Sequence, residues 1–443
     1  MTYNILNFPE YTIANIEEFE HDYRIHASIN ITPGHCPECR KSDLVGFGKR
    51  EETILDTPIH GKRVGISVTR RRFRCQSAAC GRTFYEEIPH RDDKRLATKR
   101  LIAYIEKQSL SRTFASLADE TGLDEKTIRN IFRDYINRLE QEVRFETPRC
   151  LGIDEIHIIR KPRCVISNIE QNTIVDLLTN RNKATVAKYL SALPGTEKVQ
   201  LVAIDMWRPY KEAVNDLIPH AKIVIDKFHV VRMANVAMES ARKAVRADLS
   251  PKHRRGLMHD RFVLLKRRGE LAMSEEIAFS KWTKNFPVLG MAYEAKEAFF
   301  ELWNHTSREG AEKGYHDWAA TLPVEIIPHF EPIITTVRNW HKEIFAYFDN
   351  PITNAYTESL NSLIRIMNRL GRGYSFEALR AKVLFTEGVQ KVKRPPYRSQ
   401  RFAKHDRFAI GYSTGREFYP QEREQNFGAD ISTLIEKIEA GDF

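Results

Sequence analysis

Short apolar segments in the middle of the chain constrain its fold more than any other feature. Between residues 150 and 226 five such segments occur, CLGIDEIHI, CVISNIE, TIVDLLT, VQLVAID and AKIVID. Helical segments such as KATVAKYLSAL and RPYKEAVNDLI separate the last three of them. Short apolar runs are typical of buried strands. The order of strand, strand, strand, helix, strand, helix, strand therefore predicts an α/β fold with a mixed sheet.

Three acidic residues lie in contexts where a metal site can form. Asp154 and Asp205 end short apolar runs, and Glu358 lies in the helical stretch NAYTESLNSLIR. Mg²⁺ prefers carboxylate and water oxygens, and two such ions about 4 Å apart can assist in-line displacement at a phosphodiester. We predict that these three acids are catalytic and ligate two Mg²⁺ ions per active site, with Mn²⁺ able to substitute. Any one of them alone could equally be a salt-bridged or an exposed acid.

The surroundings of these acids add further candidates. Glu155 directly follows Asp154, but alternation along a strand directs it to the opposite face, so we leave it out of the metal site. Four polar residues of the helical stretch recur at spacings that place them on one face, namely Asn354, Glu358, Asn361 and Arg365. We predict supporting roles for the two asparagines and a DNA contact for Arg365.

Length and charge indicate a multidomain protein with a polyanionic partner. A chain of 443 residues exceeds what one hydrophobic core usually holds. The net charge is 69 − 59 = +10, and such a basic balance favours nucleic acid as a partner. The N-terminal stretch does not resemble a signal peptide, and nothing approaches the apolar length of a membrane helix. We therefore expect a cytoplasmic protein whose cysteines are metal ligands or free thiols rather than disulfides.

Two pairs of cysteines predict one structural zinc ion. The pairs lie in HCPECR and CQSAACGRTF and comprise Cys36, Cys39, Cys75 and Cys80. Two close pairs joined by a long connection match a site in which four thiolates form a tetrahedron. The alternative is a small β domain with unligated thiols. Cys150 and Cys164 stand alone in predicted strands and are expected in the core.

A basic run lies between the cysteine pairs and includes one aromatic residue. It extends from Arg70 to Arg74 with Phe73 inside it. Because side chains alternate along a strand, only some of these arginines can reach phosphate. We select Arg71 as a DNA contact, while a solvated strand face remains the alternative.

The segment TFASLADETGLDEKTIRNIFRDYINRL predicts a helix-turn-helix. Ala118 is small where two helices would cross, Gly122 permits a left-handed turn, and Ile128 would pack back on the first helix. The second helix exposes polar residues that we predict to enter the major groove of DNA, namely Lys126, Thr127, Arg129, Asn130 and Arg133. An ordinary helical hairpin is the alternative.

The pattern divides the chain into successive segments. We predict an N-terminal segment 1–30, a zinc-binding domain 31–90, a helix-turn-helix domain 91–147, a catalytic core in two parts 148–230 and 341–390, a helical insertion 231–340 and a basic tail 391–443. Four tryptophans of the insertion are expected mainly in its core, with stacking on a flipped base as the alternative. They are Trp282, Trp303, Trp318 and Trp340.

Taken in order, these motifs resemble the DDE transposases of bacterial insertion sequences, most closely the ISL-three type family. The matching stretches are the paired cysteines, the helix-turn-helix, GIDE, DMWRPY with VIDKFHVVR, and NAYTESLNSLIR. The resemblance implies an RNase H-like catalytic domain, interrupted by a helical insertion, in which Asp154, Asp205 and Glu358 ligate metal. It also implies that Asp226 and His229 of DKFH support the active site without ligating metal directly. His229 could instead be a buried structural histidine.

The function implied by this resemblance is DNA transposition. The enzyme would bind the terminal inverted repeats of an insertion sequence, cleave the ends with water and transfer the resulting 3′-OH to target DNA. Two ends must be brought together, so a homodimer or larger assembly on double-stranded DNA, associated with the nucleoid, is expected. The alternatives are a DNA-binding regulator with an inert scaffold and an RNase H-like nuclease without strand transfer.

Overall fold

A computed structural model describes residues 4–142, 147–386 and 429–430. The chain divides into two compact units. The first unit comprises Met1–Arg144 with Arg369–Glu387, and the second comprises Phe145–Asn368 with Gly388–Phe443. The predicted basic tail lies outside the described residues, apart from two residues that form a short strand.

The first unit begins with a five-stranded sheet. Its strands are β1 (Tyr11–Glu18), β2 (Asp22–Ile29), β3 (Leu44–Ile59), β4 (Lys62–Cys75) and β5 (Thr83–Tyr85). The order is β1-β2-β4-β3, with β5 also paired to β4. Alternate apolar residues such as Ile25, Ile54 and Ile66 form its core, because successive side chains of a strand point to opposite faces.

This sheet corrects the predicted boundary at residue 30. β2 pairs in parallel with β4, from Asp22 opposite Arg63 to Ser28 opposite Thr69. The predicted N-terminal segment is therefore part of the same sheet as the zinc-binding region. Pairing between strands so far apart along the chain leaves no local pattern in the sequence.

Three helices follow this sheet and form the predicted helix-turn-helix. They are α1 (Lys99–Ser111), α2 (Phe114–Thr121) and α3 (Glu125–Glu142). Gly122 ends α2 with a φ of +78°, and its N–H donates to the carbonyl of Ala118 at 2.9 Å. Asp124 caps α3 by accepting the N–H of Thr127 at 2.9 Å. Ile128 is fully buried, as predicted for the residue that packs back on the first helices.

The second unit contains a mixed sheet with the predicted strands and helices. They are β6 (Cys150–Ile158), β7 (Lys161–Asn168), β8 (Thr173–Leu178), α4 (Lys183–Ala192), β9 (Leu201–Ile204), α5 (Arg208–Leu217) and β10 (Lys222–Ile225). The order is β10-β9-β6-β7-β8. β6, β9 and β10 are parallel, whereas β7 runs antiparallel to both of its neighbours. The strands are buried nearly throughout, which explains their continuous apolar runs.

Helices fill the segment between β10 and the helix that carries Glu358. They are α6 (Lys227–Ala247), α7 (Pro251–His259), α8 (Arg261–Leu265), α9 (Met273–Asn285), α10 (Pro287–Glu301), α11 (Arg308–Ala320) and α12 (Ile327–Asp349). Trp282, Trp318 and Trp340 are buried in the core of this unit, and Trp303 stacks on Phe348 with ring centroids 5.5 Å apart. Core packing is confirmed for these tryptophans.

The last helices divide between the two units. α13 (Ala355–Leu370) carries Glu358, and α14 (Phe376–Phe385) lies in the first unit. Lys382 of α14 is buried, and its ammonium donates to the carbonyls of Ser109 and Arg112 at the end of α1. Residues 369–387 thus belong to the first unit, contrary to the predicted core segment 341–390. A two-residue strand, β11 (Ala429–Asp430), pairs with β8.

None of the helices in the described part of the chain is both long and apolar enough to span a membrane.

Candidate active site

Three aspartates lie side by side at the same level of three neighbouring parallel strands. Ile153 of β6 is the register partner of Ile204 of β9, which in turn pairs with Ile225 of β10. The next residue along each of these parallel strands is Asp154, Asp205 and Asp226. Neighbouring strands lie about 4.8 Å apart. The structure therefore brings the predicted Asp154 and Asp205 side by side and adds Asp226 at the same level.

A close approach between β6 and α13 positions the helix that carries Glu358. A side chain on Gly152 would meet the Oδ1 atom of Asn354 at 2.6 Å and the Oγ atom of Ser167 at a still shorter distance. Both of these atoms belong to a buried network in which the Ser167 and Thr357 hydroxyls are 2.8 Å apart. Glycine is required at this point of the GIDE motif because the helix lies directly against the strand.

Asn361 holds the first aspartate in place. Its Nδ2 donates to Oδ2 of Asp154 at 2.8 Å, and the N–H of Glu155 donates to Oδ1 of the same carboxylate at 2.8 Å. Arg365 lies one turn further along α13 and is exposed. Its positive charge offsets part of the rise in the pKa of Asp154 that burial causes. The helix face predicted from the spacing is therefore directed at the acids.

Burial and mutual repulsion raise the pKa values of these carboxylates, because both make the ionised forms less stable when no cation is present. Burial raises the pKa of Asp154 to about 6, and burial together with the charge of Asp154 raises the pKa of Asp205 to about 6. The pKa of Glu358 is also raised, first by burial and then by Asp226. Oδ1 of the buried Asn361 has no hydrogen-bond partner among the described residues. An oxygen-rich, electronegative pocket of this kind fits a divalent cation.

Glu358 lies closest to two residues for which only a supporting role was predicted. One ligand atom each of Asp226, His229 and Glu358 fall within 4.8 Å of one another. Asp226 is fully buried and raises the pKa of His229 through a contact between Oδ2 and Nδ1 at 3.4 Å. DKFH therefore contributes directly to the pocket.

Two residues at the pocket had no predicted role. Arg181, between β8 and α4, forms an ion pair with Glu155 and lies over the ring of Trp207 at 4.1 Å. Its charge also lowers the pKa of Asp205. Glu155 is thus engaged by Arg181, in keeping with its exclusion from the metal site. Trp207 could have been found from the sequence, because it follows Asp205 in the DMWRPY motif. Arg181 could not, because an arginine in a loop carries no recognisable pattern.

In the first unit, the four paired cysteines converge on one point. Their Sγ atoms all lie within 4.8 Å of one another, with Cys36 and Cys80 at 3.8 Å and Cys39 and Cys75 at 3.5 Å. Four thiolates about 2.3 Å from one zinc ion have an edge of about 3.8 Å. The backbone N–H of Cys39 lowers the pKa of Cys36 to about 7, which favours the thiolate that metal binding requires. The cluster supports a structural zinc site.

The predicted DNA-contacting residues of α3 include several that are already hydrogen-bonded within the protein. Lys126, Arg129 and Arg133 are exposed at helical spacing. Arg129 also pairs with Glu125. Two predicted contacts make local hydrogen bonds: the hydroxyl of Thr127 donates to Asp124, and Oδ1 of Asn130 accepts from Arg133.

Arg71, which we predicted to contact DNA, also has a structural role. Its guanidinium forms a bidentate ion pair with Glu86, which is 2% exposed, and donates to the carbonyls of Ile29 and Ile31. Strand alternation directs Arg72 and Arg74 to the other face, where both lie over the exposed ring of Phe47 at 5.3 and 5.7 Å.

Comparisons with known proteins agree with the order of these sites. The family model of ISL3-type DDE transposases, described as a transposase, matches residues 151–383. The zinc-finger of transposases IS204/IS1001/IS1096/IS1165 matches residues 32–80, and the helix-turn-helix domain of transposase family ISL3 matches residues 86–136.

Two curated relatives are transposases of named elements. The chain is similar to the transposase for insertion sequence element IS1001 of Bordetella parapertussis, with 22% identity over 331 residues, which is 72% of this chain and 80% of the relative. It is also similar to the transposase for IS1557 of Mycobacterium tuberculosis, with 26% identity over 271 residues, which is 55% of this chain and 61% of the relative. Residues 151–383 are 233 of the 443 residues, more than half of the chain. The chain is therefore a DNA transposase that belongs to the ISL3 family.

Proposed function

We propose that this transposase binds the terminal inverted repeats of an insertion sequence, cleaves its ends in a metal-dependent reaction and joins them to target DNA. The observation that carries the proposal is the register that puts Asp154 of β6 beside Asp205 at the end of β9, while α13 carries Glu358. Acids that separate elements bring together repel one another, and a metal ion bound between them would relieve that repulsion.

The second unit is proposed to be an RNase H-like core with a helical insertion. Three consecutive antiparallel strands, β8, β7 and β6, are followed in the sheet by the parallel β9 and β10. Helices α6 to α12 come between β10 and the helix with the last acid. This order supports the assignment made from the sequence.

Asp154, Asp205 and Glu358 would hold two Mg²⁺ ions. Such ions supply charge stabilisation and lower the pKa of the attacking hydroxyl or water. Asn361 keeps Asp154 in one orientation, since the carboxylate accepts its Nδ2–H at 2.8 Å. The exposed guanidinium of Arg365 and the half-buried guanidinium of Arg181, which also pairs with Glu155, would bind the scissile strand, because both act electrostatically on the pocket. Asp226 and His229 would complete the pocket on the side of Glu358.

DNA recognition is proposed for the exposed face of α3. Lys126, Arg129 and Arg133 supply positive charge, and Thr127 and Asn130 flank them. The zinc site would hold β3, β4 and β5 together. These strands precede the helix-turn-helix along the chain. Because two element ends must be processed together, we propose that a homodimer or larger assembly acts on DNA at the nucleoid.

The decisive experiment is cleavage of a labelled duplex that carries the terminal repeat of the element. Wild type, Asp205→Asn and a control with an exposed acid replaced, Asp317→Asn, would be compared in Mg²⁺ and in EDTA. We expect nicking at the repeat boundary in Mg²⁺ for wild type and the control, and only binding for Asp205→Asn. Specific binding without cleavage by wild type, even with two ends on one DNA, would instead favour a regulator. Cleavage without joining to target DNA would favour a nuclease.

A further inference from the structure

Asp226 and His229 bracket the start of α6 beside Glu358. Asp226 is the N-cap of α6, and its Oδ1 accepts the N–H of Phe228 at 3.2 Å. The other oxygen of the carboxylate, Oδ2, faces Nδ1 of His229 at 3.4 Å. His229 lies on the first turn of α6, and Glu358 lies on the first turn of α13.

Two atoms of this group are buried without a hydrogen bond. They are Oδ2 of Asp226, on a residue that is fully buried, and Nδ1 of His229, and neither has a partner among the described residues that meets hydrogen-bond geometry. Burying a carboxylate oxygen in this way is costly unless a cation or a donor compensates for the lost water. The long contact between the two atoms compensates for this cost only weakly, and a cation bound by both atoms would do so more strongly.

The distance between the two atoms suits metal ligands. Oδ2 of Asp226 and Nδ1 of His229 are 3.4 Å apart, longer than an ordinary hydrogen bond. Two ligands at about 2.0–2.1 Å from one ion in a tetrahedral site lie about 3.4 Å from each other. A carboxylate oxygen of Glu358 is within 4.8 Å of both ligand positions. Small side-chain movements of the exposed glutamate can close that gap.

We propose that Asp226, His229 and Glu358 form a cation site of their own, with two oxygen ligands and one nitrogen ligand. Glu358 is then shared between this site and the pair formed by Asp154 and Asp205. An imidazole ligand favours Mn²⁺ or Zn²⁺ over Mg²⁺, which prefers an all-oxygen shell. The proposal assigns His229 a direct role at the metal, where the family resemblance implied only support. It concerns the same pocket as the proposed function but can be measured without DNA.

Mn²⁺ binding to the full chain with its zinc retained tests the proposal. Pulsed electron paramagnetic resonance detects a ¹⁴N nucleus bound to Mn²⁺, and titration of the free-ion signal gives the affinity. We expect a nitrogen coupling in wild type that persists in Asp205→Asn and in His220→Gln, an exposed histidine that serves as the matched control. His229→Gln should abolish the coupling and weaken binding at this site by about 10–100-fold.

Two more variants keep the outcome interpretable. Glu358→Gln should retain the nitrogen coupling while lowering Mn²⁺ affinity, and Asp226→Asn should lower affinity to a similar degree as His229→Gln. Absence of nitrogen coupling in wild type, or its persistence in His229→Gln, would overturn the proposal. Nitrogen coupling with unchanged affinity in Asp226→Asn would also overturn it, since Asp226 would then only orient the imidazole. Mn²⁺ bound with nitrogen but no DNA cleavage would contradict the proposed function alone.

Discussion

Replacing Gly152 by alanine should destabilise the second unit and misplace a residue of the active site. The added Cβ would meet Oδ1 of Asn354 at 2.6 Å and Oγ of Ser167 at a shorter distance, whereas real Cβ contacts essentially never fall below 3.0 Å. The asparagine oxygen must therefore retreat by at least 3.0 − 2.6 = 0.4 Å. Both obstructing side chains are buried, so neither can swing into solvent.

The expected cost combines overpacking with a weakened polar network. Forcing an extra carbon into a packed site costs about 1–3 kcal/mol. The hydrogen bond between Ser167 and Thr357 contributes about 1 kcal/mol more if it is broken. Unfolding of the second unit should thus become easier by about 2–4 kcal/mol. The N–H of Glu358 donates to the carbonyl of Asn354 at 3.1 Å, so displacing Asn354 should also misplace Glu358, and small misplacements of a reacting group cost about tenfold or more in rate.

Chemical denaturation and cleavage of the terminal-repeat duplex, measured at a temperature where the variant remains folded, test both parts. Gly46→Ala is the matched control, because Gly46 also lies in a strand and a Cβ there meets nothing within 4 Å. Gly152→Ala that unfolds within about 0.5 kcal/mol of wild type would refute the steric argument. Normal cleavage by a destabilised variant would refute the claim that this contact positions Glu358.

Three further outcomes are expected in the first unit. Elemental analysis should give one equivalent of zinc for wild type and show its loss in Cys75→Ser, and loss of zinc should lower the melting temperature of this unit; full zinc content in the variant would argue against the cluster. Burial lowers the pKa of Lys382 to about 7, so between pH 7 and its unfolded pKa near 10.5 the unfolded chain binds the extra proton and stability should rise with pH, by at most about 1.4 kcal/mol per unit. Lys382→Met should flatten that rise in denaturation curves, and parallel profiles for the two proteins would contradict the assignment. Arg71→Ala should cost about 2–3 kcal/mol, because the buried Glu86 would lose the guanidinium and keep the backbone N–H of residue 71 as a donor, whereas Arg133→Ala should keep stability and reduce the salt dependence of DNA binding; the reverse pattern would support Arg71 as the DNA contact.

The position of zinc and the helix-turn-helix could be predicted because their signals are local. Cysteine spacing, a glycine at a turn with a φ of +78° and an aspartate cap each depend on a few neighbouring residues. The boundaries of the domains depend on contacts between distant segments. The parallel pairing of β2 with β4 and the burial of Lys382 against the end of α1 therefore had no counterpart in the sequence pattern.

Arg71 shows the same limit for a single side chain. The sequence pattern of an arginine in a basic strand predicts a phosphate contact, and strand alternation predicts which of the neighbouring side chains share its face. The fold alone decided that the buried partner on its face is Glu86, which binds the guanidinium within the protein.

By itself, the sequence determined the family, the strands and helices of the second unit, and the identity of Asp154, Asp205 and Glu358 as candidates, because apolar periodicity and motif order are written along the chain. Only the tertiary structure decided that Asp226 is level with the other two aspartates and that its Oδ2 lies 3.4 Å from Nδ1 of His229. Strand register and the packing of α6 and α13 are set by the whole core, since each strand is held by neighbours far away in sequence. The residues of the site could therefore be predicted from the sequence, whereas their grouping in space could not.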